Sequence, residues 1–434
     1  MKFFNSAKIL LLSILILTFL TFPSLAEELQ LVSERGTHTE AWMMHMDDFE
    51  EETGIELSMT QYPYADYLNQ LTLNFSGGEE NFDVQYISML WYPSFTKGDY
   101  LMPLNDLVDE NPEFKEDFMG LENAYSNENL YVIPYMNELG GVIYRKDLFN
   151  DPDEQKSFKE EYGYELQPPE TLKQYKDVAE FFHRPPELYG VSMMGKKSIF
   201  LGTHFMQRLW ARDGELLNDN MEPAFNNDKG VEALKEVKEM FEYSSKASRS
   251  HDLQDAITEF SSGRSAMGEF WTTSMFQANE DESSQVAGDV GFTGFPRPEE
   301  AKDKKRPMLY ISWGFSVANS TKNPEKALEF IKYVMETDNL IESAPEGTIP
   351  PRKSALEDPD LQSELTWIED FQKAMENSEP QPMFPLIPEG STIVEEELVG
   401  AISEYMEGNM SAEETLEKAD KNIYDLLEEN GYYD

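Results

Sequence analysis

The hydrophobic positions in the first part of the chain alternate between the period of a strand and that of a helix. Leu29 and Leu31 alternate with polar residues, whereas Trp42, Met46 and Phe49 recur at the spacing of one helical face. The predicted elements are a strand at 29–33, a helix from about 40 to 53, a strand at 55–59, a helix at 66–75 and a strand at 84–87. This order predicts a mostly parallel sheet with helices on both faces.

Longer amphipathic helices dominate the middle and the end of the chain. They are predicted at 169–182, 229–243, 324–337 and 413–429. Proline-rich breaks at 184–186, 295–298, 349–351 and 380–388 mark element boundaries, and no internal repeat or low-complexity linker is found. The length of 434 residues is enough for two domains that each bury a core of their own.

The first 26 residues have the organisation of a secretory signal peptide. Lys2 and Lys8 give a positive start, residues 9–22 are apolar, and small residues lead to a predicted cleavage site after Ala26. The apolar run is shorter than the ~18 residues of a spanning helix, although an uncleaved anchor remains the alternative. The chain has no cysteine, which excludes disulfides and a lipid-modified cysteine anchor. We therefore expect an exported protein that is periplasmic or extracellular.

Charge is the most unusual feature of the composition. The chain has 83 acidic and 35 basic residues, a formal net charge of −48. Such a chain is not expected to bind nucleic acid or an anionic membrane surface. The acidic residues are spread along the whole length, which indicates a surface adapted to salty water rather than one concentrated cation-binding pocket.

The charge leads to a prediction about salt. We expect the thermal unfolding midpoint of the ligand-free protein to rise by several degrees between about 0.1 M and about 1 M NaCl, because the screening length falls from ~10 Å to ~3 Å and self-repulsion weakens. Calorimetry at a series of salt concentrations measures this. A flat or falling midpoint would contradict adaptation to salt.

Catalytic and metal-binding signatures fail on inspection. Residues 190–197 resemble a phosphate-binding loop, but Lys197 replaces the Ser or Thr that binds magnesium. Ser94 and Lys97 match S-x-x-K without a K-T-G partner. The five histidines have no metal-ligand spacing, and residues 150–153 favour a solvated turn over a calcium site. The sequence predicts no enzyme, no metal and no cofactor.

A series of segments nevertheless carries a family resemblance. They are Phe49-Glu-Glu-Glu-Thr-Gly-Ile55, residues 81–91 with Tyr100-Leu-Met-Pro-Leu104, Leu130-Tyr-Val-Ile-Pro-Tyr135 with residues 143–149, residues 168–172, Phe260-Ser-Ser-Gly-Arg-Ser-Ala-Met267, residues 313–319 with 322–330, and residues 347–356. In this order and spacing they resemble family 1 of the bacterial extracellular solute-binding proteins, the maltose-binding-protein-like group. Two residues depart from the pattern, since Arg145 replaces the usual Asn and Leu90 stands where many members have a polar sugar contact.

The resemblance implies a fold and its division into lobes. The fold is the two-lobed α/β periplasmic-binding-protein fold of type II, in which each lobe is a mixed, mostly parallel sheet flanked by helices. We expect residues 27–137 plus 297–340 in the N-terminal lobe and residues 142–293 plus 341–434 in the C-terminal lobe. The hinges are expected near 138–141, 294–296 and 340.

The resemblance also implies a function. The chain is expected to act as a monomer that captures a carbohydrate, with an oligosaccharide first in order, and delivers it to the permease of an ABC importer. A polyamine, a peptide or another cationic solute is the alternative ligand. A secreted polysaccharide-degrading enzyme is the alternative from another class.

Aromatic residues are the first candidates for a sugar site, because their faces stack on the C–H faces of a pyranose. Three tryptophans lie at strand-to-loop junctions where the family places cleft residues, and packing within a lobe is the alternative for each. These are Trp91, Trp271 and Trp313. The other three, Trp42, Trp210 and Trp367, lie in helical patterns that indicate a core position.

Polar candidates follow from the same comparison and from the rule that ligands lie beyond the carboxyl ends of strands. Glu34 and Arg35 occupy the turn after the first strand, for which an ordinary solvated turn is the alternative. The remaining candidates are Glu138 at the lobe crossover, His204 at a helix start, Thr272 beside Trp271, and Arg352 in a proline-containing loop.

Overall fold

The computed structural model describes residues 28–77, 82–110, 112–126, 128–280 and 283–433. The predicted signal peptide lies outside these residues. The strands are β1 (Leu29–Glu34), β2 (Leu57–Tyr62), β3 (Val84–Ser88), β4 (Tyr125–Ser126), β5 (Asn129–Leu130), β6 (Ile133–Arg145), β7 (Tyr189–Ser192), β8 (Ser265–Trp271), β9 (Val290–Gly294), β10 (Arg306–Val317) and β11 (Ser378–Pro382). In the described part of the chain, no helix has the length and apolar character needed to span a bilayer.

Helices account for most of the remaining structure. They are α1 (Thr37–Met43), α2 (Met46–Thr53), α3 (Tyr64–Gly77), α4 (Tyr92–Lys97), α5 (Asn105–Asp109), α6 (Pro112–Asp117), α7 (Lys146–Asn150), α8 (Pro152–Tyr162), α9 (Leu172–Phe182), α10 (Ile199–Ala211), α11 (Asp228–Met240), α12 (Leu253–Ser261), α13 (Ser274–Ala278), α14 (Pro324–Val334), α15 (Thr337–Ser343), α16 (Lys353–Leu356), α17 (Pro359–Glu364), α18 (Ile368–Glu376), α19 (Val399–Met406) and α20 (Ala412–Glu429). A π-helix, Thr392–Leu398, leads directly into α19.

The predicted β-α-β-α-β order at the start of the chain is present, with two local differences. The first predicted helix is divided into α1 and α2 at His45, whose backbone leaves the helical region and whose Nε2 lies 3.0 Å from the carbonyl oxygen of Asn339. The helix predicted from residue 169 begins at Leu172, because Thr171 and Gln174 form a capping box at its start.

One mixed sheet runs through the molecule in the order β2-β1-β3-β10-β6-β8-β7, with β11 on β10 and β9 on β6. Within this sheet the pairs β1/β2, β1/β3, β7/β8 and β10/β11 are parallel, and the antiparallel pairs all involve β6 or β10. The short strands β4 and β5 form a separate antiparallel pair. These two long strands pair along Ile133 to Gly140. One end of each long strand lies in the first half of the sheet, with β1, β2 and β3. The other end lies in the second half, with β7, β8, β9 and β11.

The pairing of β6 with β10 depends on one glycine. The register shifts between Trp313 and Gly314, and a Cβ atom at Gly314 would lie 2.1 Å from the carbonyl oxygen of Ile133. A side chain at this position would therefore push the two crossover strands apart.

The buried hydrophobic residues divide into clusters on either side of the crossover. One cluster joins β1, β3 and α14 with the second half of β10 from Trp313 onward. Two others join helices α7–α13 and α16–α20 with β8 and β9. These two clusters include Met308, Leu309 and Tyr310 from the first half of β10. We propose that the lobe boundary in β10 lies between Tyr310 and Trp313, whereas the sequence prediction put all of 297–340 in the N-terminal lobe.

Candidate ligand-binding cleft

The carboxyl ends of β1 and β3 bring a carboxylate and several aromatic rings together. Glu34 is the last residue of β1, and its Oε1 lies 3.0 Å from Nε2 of His38 on α1. The other ring nitrogen of His38, Nδ1, lies 3.1 Å from the hydroxyl of Tyr86 on β3. The His38 ring is 5.0 Å from the ring of Trp313 on β10. These residues form one connected cluster at the end of the first-lobe strands.

Trp91 extends this cluster on the other side of Trp313. The two indole rings are nearly perpendicular, with centroids 5.1 Å apart and planes at 77°. Trp91 is 8% exposed and Trp313 is 7% exposed, so both residues are largely enclosed within the lobe. We call Glu34, His38, Tyr86, Trp91 and Trp313 the aromatic cluster.

The crossover strand β6 adds a second carboxylate. Glu138 is partly buried and accepts a hydrogen bond from the hydroxyl of Thr273, in the loop after β8. Burial raises the pKa of Glu138, and the hydrogen bond from Thr273 and the nearby His38 oppose this only in part. Glu138 therefore lies near enough to His38 for their charges to interact, and its carboxyl group binds a hydroxyl from the second lobe.

The side chains that lie between the two lobes beside Glu138 are apolar. Ile311 is the cross-strand partner of Glu138, and Leu90 follows β3. Both side chains pack against the hydrophobic clusters of both lobes. Leu90 thus makes an apolar contact between the lobes at the place where the family resemblance leads one to expect a polar residue.

Trp271 and Thr272 lie at the end of β8, on the second-lobe side. Trp271 is 4% exposed and belongs to the hydrophobic cluster of that lobe. Thr272 is fully buried, and its amide and hydroxyl pair with the carbonyl and amide of Leu139 at 2.9 Å and 3.0 Å. The hydroxyl that reaches Glu138 belongs to the next residue, Thr273.

His204 is placed in the interior of the second lobe. It is fully buried on α10, its Nδ1 lies 2.6 Å from Oε2 of Glu269, and its Nε2 lies 3.2 Å from the amide nitrogen of Met194. Both ring nitrogens therefore have protein partners, and the structure does not bring His204 to the aromatic cluster.

The two predicted arginines lie at different places. Arg35 follows Glu34, and its side chain is exposed. Arg352 donates from Nε to Oδ2 of Asp117 at 2.7 Å and from Nη1 to the carbonyl oxygen of Met335 at 2.8 Å. Arg352 thus binds residues at the ends of α6 and α14, and its hydrogen bonds do not reach the aromatic cluster.

Two residues of the site, His38 and Tyr86, were missed by the sequence analysis, and Thr273 was passed over in favour of its neighbour Thr272. The position of His38 just beyond the end of β1, in the first turn of α1, was the available signal, because ligand contacts lie beyond the carboxyl ends of strands. Tyr86 gave no such signal, since it lies in a buried strand. Among the described residues, no group of three or more His, Asp or Glu side chains is placed to hold a metal ion. Asp151, at the turn once weighed as a calcium site, caps α8.

The sequence match decides the family. The model of the family described as "Bacterial extracellular solute-binding protein" matches residues 35–340, more than half of the chain. The chain belongs to this family. Bacterial extracellular solute-binding proteins are transport proteins that present a small-molecule ligand to an ABC transporter, and they are not enzymes.

Similar solved structures share the type II fold of these solute-binding proteins. The ribitol complex of an ABC transporter solute-binding protein from Agrobacterium radiobacter K84 has a TM-score of 0.77 and 22% identity, over 92% of this chain and 98% of that chain. Maltose-bound MalE3 of T. maritima has a TM-score of 0.75 and 19% identity, over 92% of this chain and 100% of that chain.

A curated relative covers a similar share of the sequence. It is named as an amino-acid ABC transporter periplasmic-binding protein of Sinorhizobium fredii, and it is 20% identical over 352 residues, which are 77% of this chain and 75% of the relative. The names of these similar proteins therefore cover polyols, sugars and amino acids.

Proposed function

We propose that this solute-binding protein captures a carbohydrate between its two lobes and delivers it to the permease of an ABC importer. The observation that supports this most directly is the aromatic cluster beside Glu138 at the lobe crossover. Aromatic surfaces and carboxylates in one place suit a ligand with apolar C–H faces and many hydroxyls. We further propose that the protein is exported by cleavage after Ala26 and acts as a monomer.

An oligosaccharide is the ligand that we place first. The indole planes of Trp91 and Trp313 differ by 77°, which suits contacts with more than one sugar ring. The maltose complex of one similar solved structure agrees with this order, because maltose is a disaccharide. Linear polyols and single sugars come next, since another similar structure was determined with ribitol. The apolar side chain of Leu90 offers a ligand no hydrogen bond at this place between the lobes. We therefore expect the aromatic cluster to make the main contacts with the ligand.

A cationic solute is the second candidate. Glu34 and Glu138 both lie near His38, and the cluster contains no lysine or arginine. Two carboxylates without a fixed cation would attract an amine, and one relative carries the name "Probable amino-acid ABC transporter periplasmic-binding protein". A screen must therefore include amines and amino acids.

A thermal-shift screen distinguishes these ligands. Oligosaccharides, single sugars, polyols, amines and amino acids are tested one by one at high salt. A cognate ligand at 100 times its Kd adds about 2.7 kcal/mol to the free energy of unfolding. Stabilisation by amines alone would transfer the proposal to cationic solutes, and hydrolysis of added glycans would contradict a transport protein.

Lobe closure gives the next prediction. We expect the radius of gyration from small-angle scattering to fall when the stabilising ligand is added, because closure of two lobes around crossover strands makes the molecule more compact. A non-stabilising sugar at the same concentration is the control. An unchanged radius at saturation would contradict capture by closure.

Glu138→Gln tests the carboxylate of the crossover. Because burial raises the pKa of Glu138, its neutral form is favoured in the folded state. Its stabilising contribution is thus present at low pH and is lost as the pH rises through the folded-state pKa. The glutamine side chain of the variant does not titrate, so the variant does not lose this contribution as the pH rises. Its free energy of unfolding relative to that of the wild type should therefore increase between pH 4 and pH 7 in urea unfolding.

The same variant should bind the cognate ligand about tenfold more weakly, because the amide of Gln has one acceptor oxygen where the carboxyl group of Glu138 has two. Titration calorimetry measures this. Glu161→Gln, at an exposed position in the second lobe, is the control and should change neither property. Wild-type affinity of Glu138→Gln would exclude Glu138 as a ligand contact.

A further inference from the structure

A groove with a cavity volume of about 470 Å³ lies beside the start of β10. It is lined by more cations than carboxylates, in a chain whose net charge is −48. The cations are Lys302, Lys304, Lys305, Arg306 and Lys373, and the carboxylates are Glu170, Asp303 and Asp370. This local excess of positive charge is opposite to the charge of the protein as a whole.

Arg306 is the most enclosed of these cations. Its Nη1 donates to the hydroxyl of Thr293 and to the carbonyl oxygen of Gly294, each at 2.9 Å. Its Nη2 lies 4.0 Å from the carboxylate of Glu170, a side chain that is largely exposed. The guanidinium is thus held in place by neutral acceptors and lacks a close, buried counterion. Burial accordingly lowers the pKa of Arg306.

Lys305 is the second cation without a close carboxylate. Its side chain is exposed, and within the described ranges no carboxylate lies within ion-pair distance of its ammonium group. The neighbouring cations differ, because Lys302 is paired with Glu299 at 2.7 Å and Lys304 with Asp213 at 2.6 Å. Lys373 is paired with Glu369 at 2.6 Å. Two adjacent residues, Lys305 and Arg306, therefore have unused capacity for an anion.

We propose that this groove binds a small tetrahedral oxyanion, such as inorganic phosphate or sulfate, with Arg306 and Lys305 as its main contacts. A guanidinium already fixed by two hydrogen bonds loses little freedom when it binds an oxyanion through its remaining N–H groups. The anion supplies the counterion that Arg306 lacks, and leaving a buried charge without one is costly. The site shares no residue with the aromatic cluster, so the two ligands bind independently.

Titration calorimetry of the purified protein with sodium phosphate and with sodium sulfate tests this, at an ionic strength held constant with NaCl. We expect saturable binding of one anion per chain. The variants Arg306→Gln and Lys305→Gln should each weaken it by about tenfold or more, as for a lost charge-assisted hydrogen bond. The matched control Lys156→Gln, on the exposed face of α8, should keep the wild-type affinity.

Lys305→Gln keeps the test decisive if Arg306→Gln unfolds, because the exposed Lys305 side chain contributes little to the fold. Heat that does not saturate as phosphate or sulfate is added at constant ionic strength would overturn the proposal. Equal affinity of Lys305→Gln and the wild type for the anion would overturn it as well. The sugar screen is a separate readout, so failure of the oxyanion site leaves the proposed transport function untouched, and the reverse also holds.

Discussion

Glu269→Ala is expected to lower the free energy of unfolding by about 3–5 kcal/mol, the cost of leaving a buried charge without its partner. Glu269 is on β8 and is fully enclosed together with Arg208 and His204 of α10. Arg208 donates to both carboxylate oxygens, from Nη1 at 2.9 Å to Oε2 and from Nη2 to Oε1. The hydroxyl of Tyr175 on α9 donates to Oε1 at 2.8 Å. One carboxylate thus ties two helices to the sheet of the second lobe.

The pH dependence of this contribution has a definite sign. Burial alone would raise the pKa of Glu269, but the charges and hydrogen bonds of Arg208 and His204 outweigh it and hold the pKa well below its usual range. A depressed pKa gives stability that is fully present above the ordinary glutamate pKa of about 4.3 and is lost as the pH falls toward the folded-state pKa. The gap in stability between wild type and Glu269→Ala should therefore be widest above pH 5 and should narrow under acid.

Urea unfolding at a series of pH values measures both effects. Glu160→Ala, at an exposed position on α8, is the control and should change stability by less than about 0.5 kcal/mol. The double variant Glu269→Leu with Arg208→Met should cost less than Glu269→Ala, because it removes both charges together. A loss below 1 kcal/mol in Glu269→Ala would show that the network is not a stabilising unit.

This network also shows where the sequence could not predict the site. The prediction that His204 opens a helix is wrong, because α10 begins at Ile199 and His204 lies in its middle. The role of His204 depends on Glu269, which is 65 residues away along the chain. Sequence periodicity gives the face of a helix but not the partner across the lobe. Glu34 and Trp91 both lie at the carboxyl ends of first-lobe strands, because parallel strands place those ends at one edge. That they contact a ligand stays a prediction.

The choice between neighbouring residues was equally beyond the sequence. Thr272 and Thr273 have the same hydroxyl group, and only the path of the chain after β8 decides which one pairs with Leu139 and which one reaches Glu138. The helices were easier to predict from the sequence. The apolar stripes of α14 and α20 are long enough to indicate both that these segments are helical and which face is buried.

Trp271→Ala is the second change with a large expected effect. The sequence left two interpretations open: a stacking surface for a sugar or a packing residue of the lobe. In the structure Trp271 pairs with Gly140 of β6, is 4% exposed and packs in the second-lobe cluster with Phe205 and Leu309. Truncation of a large core side chain leaves a cavity, so we expect a loss of about 3–5 kcal/mol in the free energy of unfolding.

Ligand affinity separates the two interpretations of Trp271. If Trp271 is a stacking surface, its loss in Trp271→Ala should weaken ligand binding by about 1–3 kcal/mol. The ligand-free variant would then be nearly as stable as the wild type. Loss of packing instead lowers the melting temperature and leaves the affinity of the folded fraction close to normal. Leu73→Ala, at a side chain that is 65% exposed, controls for truncation as such. Melting curves and calorimetric titration of the same preparation decide the matter, and an unchanged melting temperature with weakened binding would place Trp271 in the cleft.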